Sequence, residues 1–213
     1  MPHKAGFVSI IGKPNVGKST LMNALVGEKM AIITPKAQTT RHRILGIVNE
    51  LDYQIVFSDT PGVIKPVYGM QKSMMDFVNG SLVDADVVLF VTDINEKYDE
   101  NDVIEKLKKV DSPVVVVINK IDKSSEELVK GKINYWQNLL NPSAFFATSA
   151  LHDHNVSAVM QFVLDHLPEH PAYYDKDILT DRSERFFVSE IIREKVFKLY
   201  AKEIPYSTEV IIT

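Results

Sequence analysis

Apolar residues in the first 167 positions of this chain fall into two alternating kinds of run. Residues 7–11, 87–91 and 114–118 are short, nearly continuous stretches of Val, Ile, Leu and Phe. Runs of that length without strict alternation predict strands buried on both faces. Amphipathic stretches lie between them. Leu21, Ala24 and Leu25 share one face of a predicted helix after the first run, and Met74, Met75 and Val78 share one within 69–83, where the methionines read as core filling. Residues 100–109 form a charged helical stretch, 126–140 another, and 156–167 directs Val159, Phe162 and Val163 inward. Residues 145–147 make a shorter strand. The runs 44–48 and 53–57 are joined only by Asn49-Glu50-Leu51-Asp52, and so short a link forces an antiparallel hairpin. The pattern predicts an α/β fold: a doubly wound, mostly parallel six-stranded sheet with one antiparallel strand.

The periodicity fails in two places. Past the helix stop at Gly27, residues 28–42 have no period and predict a long, mobile loop. Residues 168–184 are rich in proline and charge and read as a linker. A new helix is then expected over 186–202, with Ile191, Ile192, Val196 and Leu199 as its apolar stripe. Pro205 breaks it, and 210–212 begin a strand. One helix and one strand cannot bury a core of their own. The expected organisation is a nucleotide-binding domain over 1–167, a linker over 168–184 and an incomplete α+β segment over 185–213.

Composition narrows the classes. With 213 residues, 45% of them hydrophobic, the chain can bury a full core. A net charge of −4 gives no footprint of a dedicated nucleic-acid binder. The absence of cysteine excludes disulfides and thiolate metal sites. No apolar run reaches the ~18 residues of a membrane span, so a soluble cytoplasmic monomer is expected. His152, His154, His166 and His170 lack a matching carboxylate pattern and read as surface residues.

The candidate chemistry begins directly after the first strand. Gly12-Lys13-Pro14-Asn15-Val16-Gly17-Lys18-Ser19-Thr20 matches the phosphate loop G-x-x-x-x-G-K-[ST], placed between a strand and a helix. Glycines let consecutive N–H groups turn inward, and the helix N-terminus adds its positive dipole end. Lys18 would reach the β- and γ-phosphates, and the Ser19 hydroxyl would ligate Mg²⁺. Asp59-Thr60-Pro61-Gly62 ends the third strand. Asp59 would serve the same metal and the Gly62 N–H would meet the γ-phosphate. Asn119-Lys120-Ile121-Asp122 follows the strand at 114–118. Guanine presents N1–H and its 2-amino group side by side, and the Asp122 carboxylate accepts both; adenine offers no such pair. Asn119 would bond the base and the loop, the Lys120 stem would cover the ring, and the N–H groups of Ser149 and Ala150 would read guanine O6. A threonine of the Thr39-Thr40 pair would complete the Mg²⁺ shell when a γ-phosphate is present; Thr40 is the preferred candidate and Thr39 the alternative. Arg41 and Arg43 read as solvated charges leading into a strand, with an internal arginine finger as the alternative. Val63 occupies the position after Gly62 where many GTPases carry a water-orienting glutamine, so turnover is expected to be slow.

Together these motifs resemble the translation-factor-related GTPases and, within them, the Era family. The closer likeness rests on Lys36-Ala37-Gln38-Thr39-Thr40-Arg41-His42-Arg43-Ile44, on Arg193-Glu194-Lys195, and on Glu203-Ile204-Pro205-Tyr206-Ser207, which are similar to the opening of a KH domain. The resemblance implies GTP and GDP as ligands, GTP hydrolysis, Mg²⁺ as cofactor, and Lys18, Thr40, Gly62 and Asn15 as the residues nearest the chemistry. Asn15 matches a residue that helps hold K⁺ in potassium-activated relatives. The resemblance also implies binding to 16S ribosomal RNA during assembly of the 30S subunit, with peripheral association at the inner face of the cell membrane. The G-x-x-G clamp of a KH domain does not occur after Arg185, so RNA binding is expected of a longer parent protein. A rival from another class is a nucleotide-gated docking module with negligible hydrolysis; another ribosome- or tRNA-related GTPase is a further alternative.

Overall fold

A computed structural model describes residues 2–36, 39–63, 69–96, 101–200 and 204–212. Strands β1 (Lys4–Ile11), β2 (Ile44–Asn49), β3 (Tyr53–Asp59), β4 (Val87–Asp93), β5 (Val114–Asn119) and β6 (Ala144–Ala147) form one sheet. Their order is β2-β3-β1-β4-β5-β6. Only the β2–β3 pair is antiparallel; β1 pairs in parallel with both β3 and β4, and β4–β5 and β5–β6 are parallel as well. The expected sheet is present. Its order reverses at β1, so β1 leads the chain to the crevice where open α/β sheets bind ligands.

Helices cover both faces. Val8, Ile10, Ile55, Phe57, Leu89 and Val91 pack beneath α1 (Lys18–Val26) and α5 (Val156–His166). Ile11, Val88, Phe90, Val116 and Ile118 pack beneath α2 (Gly69–Val83), α3 (Asn101–Leu107) and α4 (Glu126–Leu140), where the buried Trp136 ring meets Phe90 edge-on at 5.1 Å. Met74 and Val78 are buried in α2 as core residues, and Val63 packs in the same cluster as Val78. Glu100, at the expected start of α3, lies outside the described residues.

At the β2–β3 end of the sheet α1 packs on one face only. On the other face, among the described residues, Leu45, Ile47 and Val56 are sealed by Phe7, Tyr174 and Ile178, the last two from the 168–182 segment. That segment is stitched to the sheet. Pro168 O accepts from Ala5 N (3.2 Å) and Leu179 O from Ile47 N (2.8 Å). The buried Gln54 accepts at Oε1 from the N–H groups of Tyr173 (2.7 Å) and Tyr174 (3.0 Å), and donates to Tyr174 O (2.8 Å). The segment is a strap.

The strap delivers α6 (Glu184–Leu199) and the short α7 (Ile204–Ser207). Two sequence expectations fail here. Residues 208–212 form no strand and pair with neither edge of the sheet. The face that α6 buries is also not its apolar stripe. Glu190, Arg193, Glu194 and Phe197 are buried, whereas Ile191, Ile192 and Leu199 are exposed. The buried positions still keep the i, i+3, i+4, i+7 spacing of one helical face, but three of the four are charged.

Candidate functional site

The phosphate loop turns at Gly12 (φ 151°), Asn15 (φ 64°) and Gly17 (φ 101°), backbone positions that L side chains rarely adopt. Two of these glycines are also required by proximity. A Cβ on Gly12 would stand 2.1 Å from the Val91 carbonyl oxygen, and one on Gly17 would stand 2.2 Å from Asn119 Nδ2. Gly62 presses on the loop from the third strand, where a Cβ would meet the Pro14 backbone nitrogen at 2.6 Å, and Val63 N donates to Gly12 O at 2.9 Å. Val16 is buried and anchors the loop in the core.

Lys18 Nζ donates to Lys13 O at 2.9 Å. Burial brings its pKa down to about 8, with Asp59 and Glu96 opposing that shift. Ser19 Oγ donates to Asp59 Oδ2 at 2.6 Å and lies 3.0 Å from Thr40 Oγ1. Burial pushes Asp59 up to about 6, against the pull of Lys18, Ser19 and Thr40. Asp59 Oδ1 has no hydrogen-bond partner among the described residues. Three oxygen-bearing side chains therefore converge on one point, with a buried and unsatisfied carboxylate oxygen among them. That donor set suits a hard divalent cation such as Mg²⁺. Thr39 lies apart: its hydroxyl bonds Thr34 Oγ1 (2.6 Å) and Lys36 O (2.7 Å).

The other end of the cavity belongs to residues 119–122 and 148–150. Asn119 Nδ2 donates to Val16 O at 2.9 Å, and its Oδ1 accepts from Ala150 N at 3.0 Å. Ser149 Oγ donates to Asp122 Oδ1 at 2.6 Å, which holds the Asp122 carboxyl below its ordinary value. Ser149 N donates to His154 O at 3.2 Å. The N–H groups of Ser149 and Ala150, expected to read guanine O6, bond within the protein in this structure. The two residues also orient Asp122 and Asn119. Lys120 pairs with Asp93 (2.7 Å) and donates to Asn15 O (2.5 Å), so it bridges the base loop to the phosphate loop.

One cavity of about 460 Å³ joins these two ends. Pro14, Asn15, Gly17, Lys18, Ser19 and Thr20 line it, as do Thr40, Gly62, Asn119, Lys120 and Asp122. Gly12, Lys13, Val16, Asp59, Ser149 and Ala150 support it from behind. Sequence reasoning missed Leu151 and the Ile32–Pro35 stretch, which also line the cavity. Neither carries a motif, and only their place in the fold reveals them. It missed Asp93 and Glu96 as well. Glu96 stands 3.6 Å from the Lys13 ammonium, and burial raises its pKa.

The 28–42 loop is not the free segment its sequence predicts. Asn23 Oδ1 accepts from the N–H groups of Met30 and Ala31 at 3.0 Å each. Asn15 Nδ2 donates to Pro35 O at 3.0 Å. Arg41 donates to the carbonyls of Pro205 (3.0 Å), Tyr206 (2.9 Å) and Thr208 (3.0 Å), and Arg43 Nε donates to Ser58 Oγ at 2.7 Å. Both arginines are spent on structure, so neither expected reading, solvated charge or arginine finger, describes them. Ala37 and Gln38 lie outside the described residues.

Comparison with known proteins places this architecture. The family described as 50S ribosome-binding GTPase matches residues 7–120. Chloroplastic GTPase ERA1 of Zea mays is 45% identical over 215 residues, covering 98% of this chain and 51% of that protein. GTPase Era of Staphylococcus haemolyticus is 43% identical, covering 96% of this chain and 69% of that protein. The chain therefore spans about half the length of the plant relative. A crystal structure of Era with MgGDPNP and nucleotides 1506–1542 of 16S ribosomal RNA superposes with a TM-score of 0.88 at 38% identity, over 96% of this chain and 70% of that one. Aquifex aeolicus Era bound to GDP and AlF₄⁻ gives 0.87 at 38% identity, with the same coverage. With the sheet order, the phosphate loop and the guanine-type loop all in place, this chain belongs to the Era family of GTPases.

Proposed function

We propose that this chain binds GTP and GDP and hydrolyses GTP as the nucleotide-cycling part of an Era-type protein. The observation that carries this reading is a single cavity with Ser19, Thr40 and Asp59 gathered at one end and the Asp122 carboxylate at the other. The inward N–H groups of the phosphate loop and the Lys18 ammonium neutralise the phosphates. Asp122, oriented by the Ser149 hydroxyl, accepts from guanine N1–H and N2. Gly62 N–H, held against Pro14, is available to the γ-phosphate and is released when that phosphate leaves. Ser19, Thr40 and Asp59 would hold Mg²⁺, which when bound supplies positive charge across the β- and γ-phosphates. Asn15, tied to the 28–42 loop through Pro35, is our candidate for a K⁺ ligand that supports charge stabilisation in place of a glutamine. By analogy with the relative that holds 16S ribosomal RNA, residues 185–213 would open the RNA-binding domain of the longer protein.

A specific observation favours a second reading. Val63 is buried in the core beneath α2 and has no means of orienting water, as a nucleotide-gated docking module with little hydrolysis would require. Single-turnover hydrolysis of radiolabelled GTP, with Mg²⁺ or EDTA and with K⁺ or Na⁺, separates the two. Mg²⁺-dependent phosphate release that is faster in K⁺ is expected. No release in either salt would leave the docking module as the function.

A further inference from the structure

The loop from Gly27 to β2 and the α6–α7 segment exchange contacts in both directions. From the loop, Lys36 donates to the carbonyls of Phe197 (2.5 Å) and Tyr200, at the C-terminal end of α6. Helix C-termini leave carbonyls unpaired and carry partial negative charge, so a lysine there is doubly favoured. From the helix, Glu194 pairs with Lys29 (3.0 Å) and accepts from Ile33 N (3.4 Å). Arg193 reaches deepest: its Nη2 donates to the Thr39 carbonyl at 2.6 Å.

Arg193 is itself fixed. Its Nε and Nη2 donate to the two carboxylate oxygens of Glu190 at 2.7 and 2.5 Å, and its guanidinium lies 5.3 Å from the Phe197 ring centroid. Arg193 is 4% exposed and Glu190 7%. Such a buried pair is weak evidence for stability, because desolvation cancels much of the Coulomb gain. Its consequence here is geometric. The carbonyl it grips belongs to the peptide plane joining Thr39 to Thr40, and a peptide plane is rigid. Gripping that oxygen fixes the nitrogen and Cα of Thr40, whose hydroxyl stands 3.0 Å from Ser19 Oγ.

We propose that Arg193, oriented by Glu190, is a positioning residue for Thr40: it holds the Thr39–Thr40 peptide so that the Thr40 hydroxyl is in place for a Mg²⁺–triphosphate before the nucleotide arrives. The proposal rests on reading Ser19, Thr40 and Asp59 as the γ-phosphate end of the cavity. Pre-organisation of this kind favours only the ligand that uses Thr40. Arg193 therefore raises the preference for triphosphate over diphosphate without changing the affinity for diphosphate.

The test is calorimetric titration of the full chain with a non-hydrolysable GTP analogue and with GDP, each with Mg²⁺ and with EDTA. Arg193→Met and Glu190→Gln should each weaken the Mg²⁺-bound analogue by about tenfold and leave GDP within about twofold, the size of an ordinary coupling between sites. Arg193→Lys, which keeps one donor but not the fork, should fall between the wild type and Arg193→Met. Adding Arg193→Met to Thr40→Ala should lower the preference no further than Thr40→Ala alone. Analogue and GDP affinities that fall in parallel, or that both stay at wild-type values, would overturn the proposal. If Thr40→Ala itself leaves the triphosphate preference unchanged, the γ-phosphate reading fails. If Thr40→Ala removes the preference and Arg193→Met does not, only the role of Arg193 fails.

Discussion

Asp122 gains its selectivity from a neighbour. The Ser149 hydroxyl at 2.6 Å steadies one carboxylate oxygen and holds the group below its ordinary pKa, so its acceptor pair is oriented for a base that offers two donors. Asp122→Asn should weaken GTP by on the order of a hundredfold, because an amide nitrogen then faces a donor. It should also favour xanthosine triphosphate, which presents an acceptor where guanine has its amine; competition titration of the two nucleotides reads the exchange. Lys18→Ala should weaken GTP by on the order of a hundredfold and GDP by less, since it strips a buried charge from the γ-phosphate as well as from the β-phosphate that both share. Wild-type affinity in equilibrium dialysis would contradict the site. The nucleotide motifs were legible from sequence because each demands particular residue types at fixed spacing. The supporting roles of Ser149 and Ala150 were not. Their N–H groups look available until the chain is folded, when His154 O and Asn119 Oδ1 occupy them.

Strands were legible for a simple reason. Val- and Ile-rich runs such as 114–118 can satisfy their backbone and bury both faces only in the middle of a sheet. Helix α6 defeated the same logic. Its apolar stripe is real, but the surface it meets is a loop that supplies Lys29, Lys36 and the Thr39 carbonyl, and that surface calls for carboxylates and a guanidinium. Glu194 shows the consequence for stability. Its burial favours the neutral form, but Lys29, Lys198 and Ile33 N outweigh this and hold its pKa below the ordinary 4.5. A depressed carboxylate stabilises the fold above its unfolded pKa, and that contribution is lost as pH falls through the lower folded value. Hydrogen exchange in α6 should therefore accelerate, relative to α5, below about pH 4, a window set by that ordinary value. In Glu194→Gln the acid step should be missing and α6 should already be looser at neutral pH. An unchanged pH profile in that variant would assign the step elsewhere.

In the molecule as a whole, the 168–182 strap does the work of a missing helix. Proline, charge and turn residues marked it as a linker, and nothing in its local sequence announces that Gln54, buried at the start of β3, would bond its backbone. Gln54→Ala leaves the N–H groups of Tyr173 and Tyr174 without their acceptor, and should cost about 2–4 kcal/mol in chemical denaturation. Guanine nucleotide affinity should change little, because the strap lies on the sheet away from the cavity. A coupled loss of affinity would show that strap and cavity are linked. The phosphate and base ends of the cavity are joined more tightly still, through the hydrogen atom that serves Gly17 as a side chain. The space a methyl group would fill at Gly17 already holds the Asn119 amide. A lineage of such proteins could not alter that glycine and keep its base loop, so phosphate binding and base choice descend as one inherited trait.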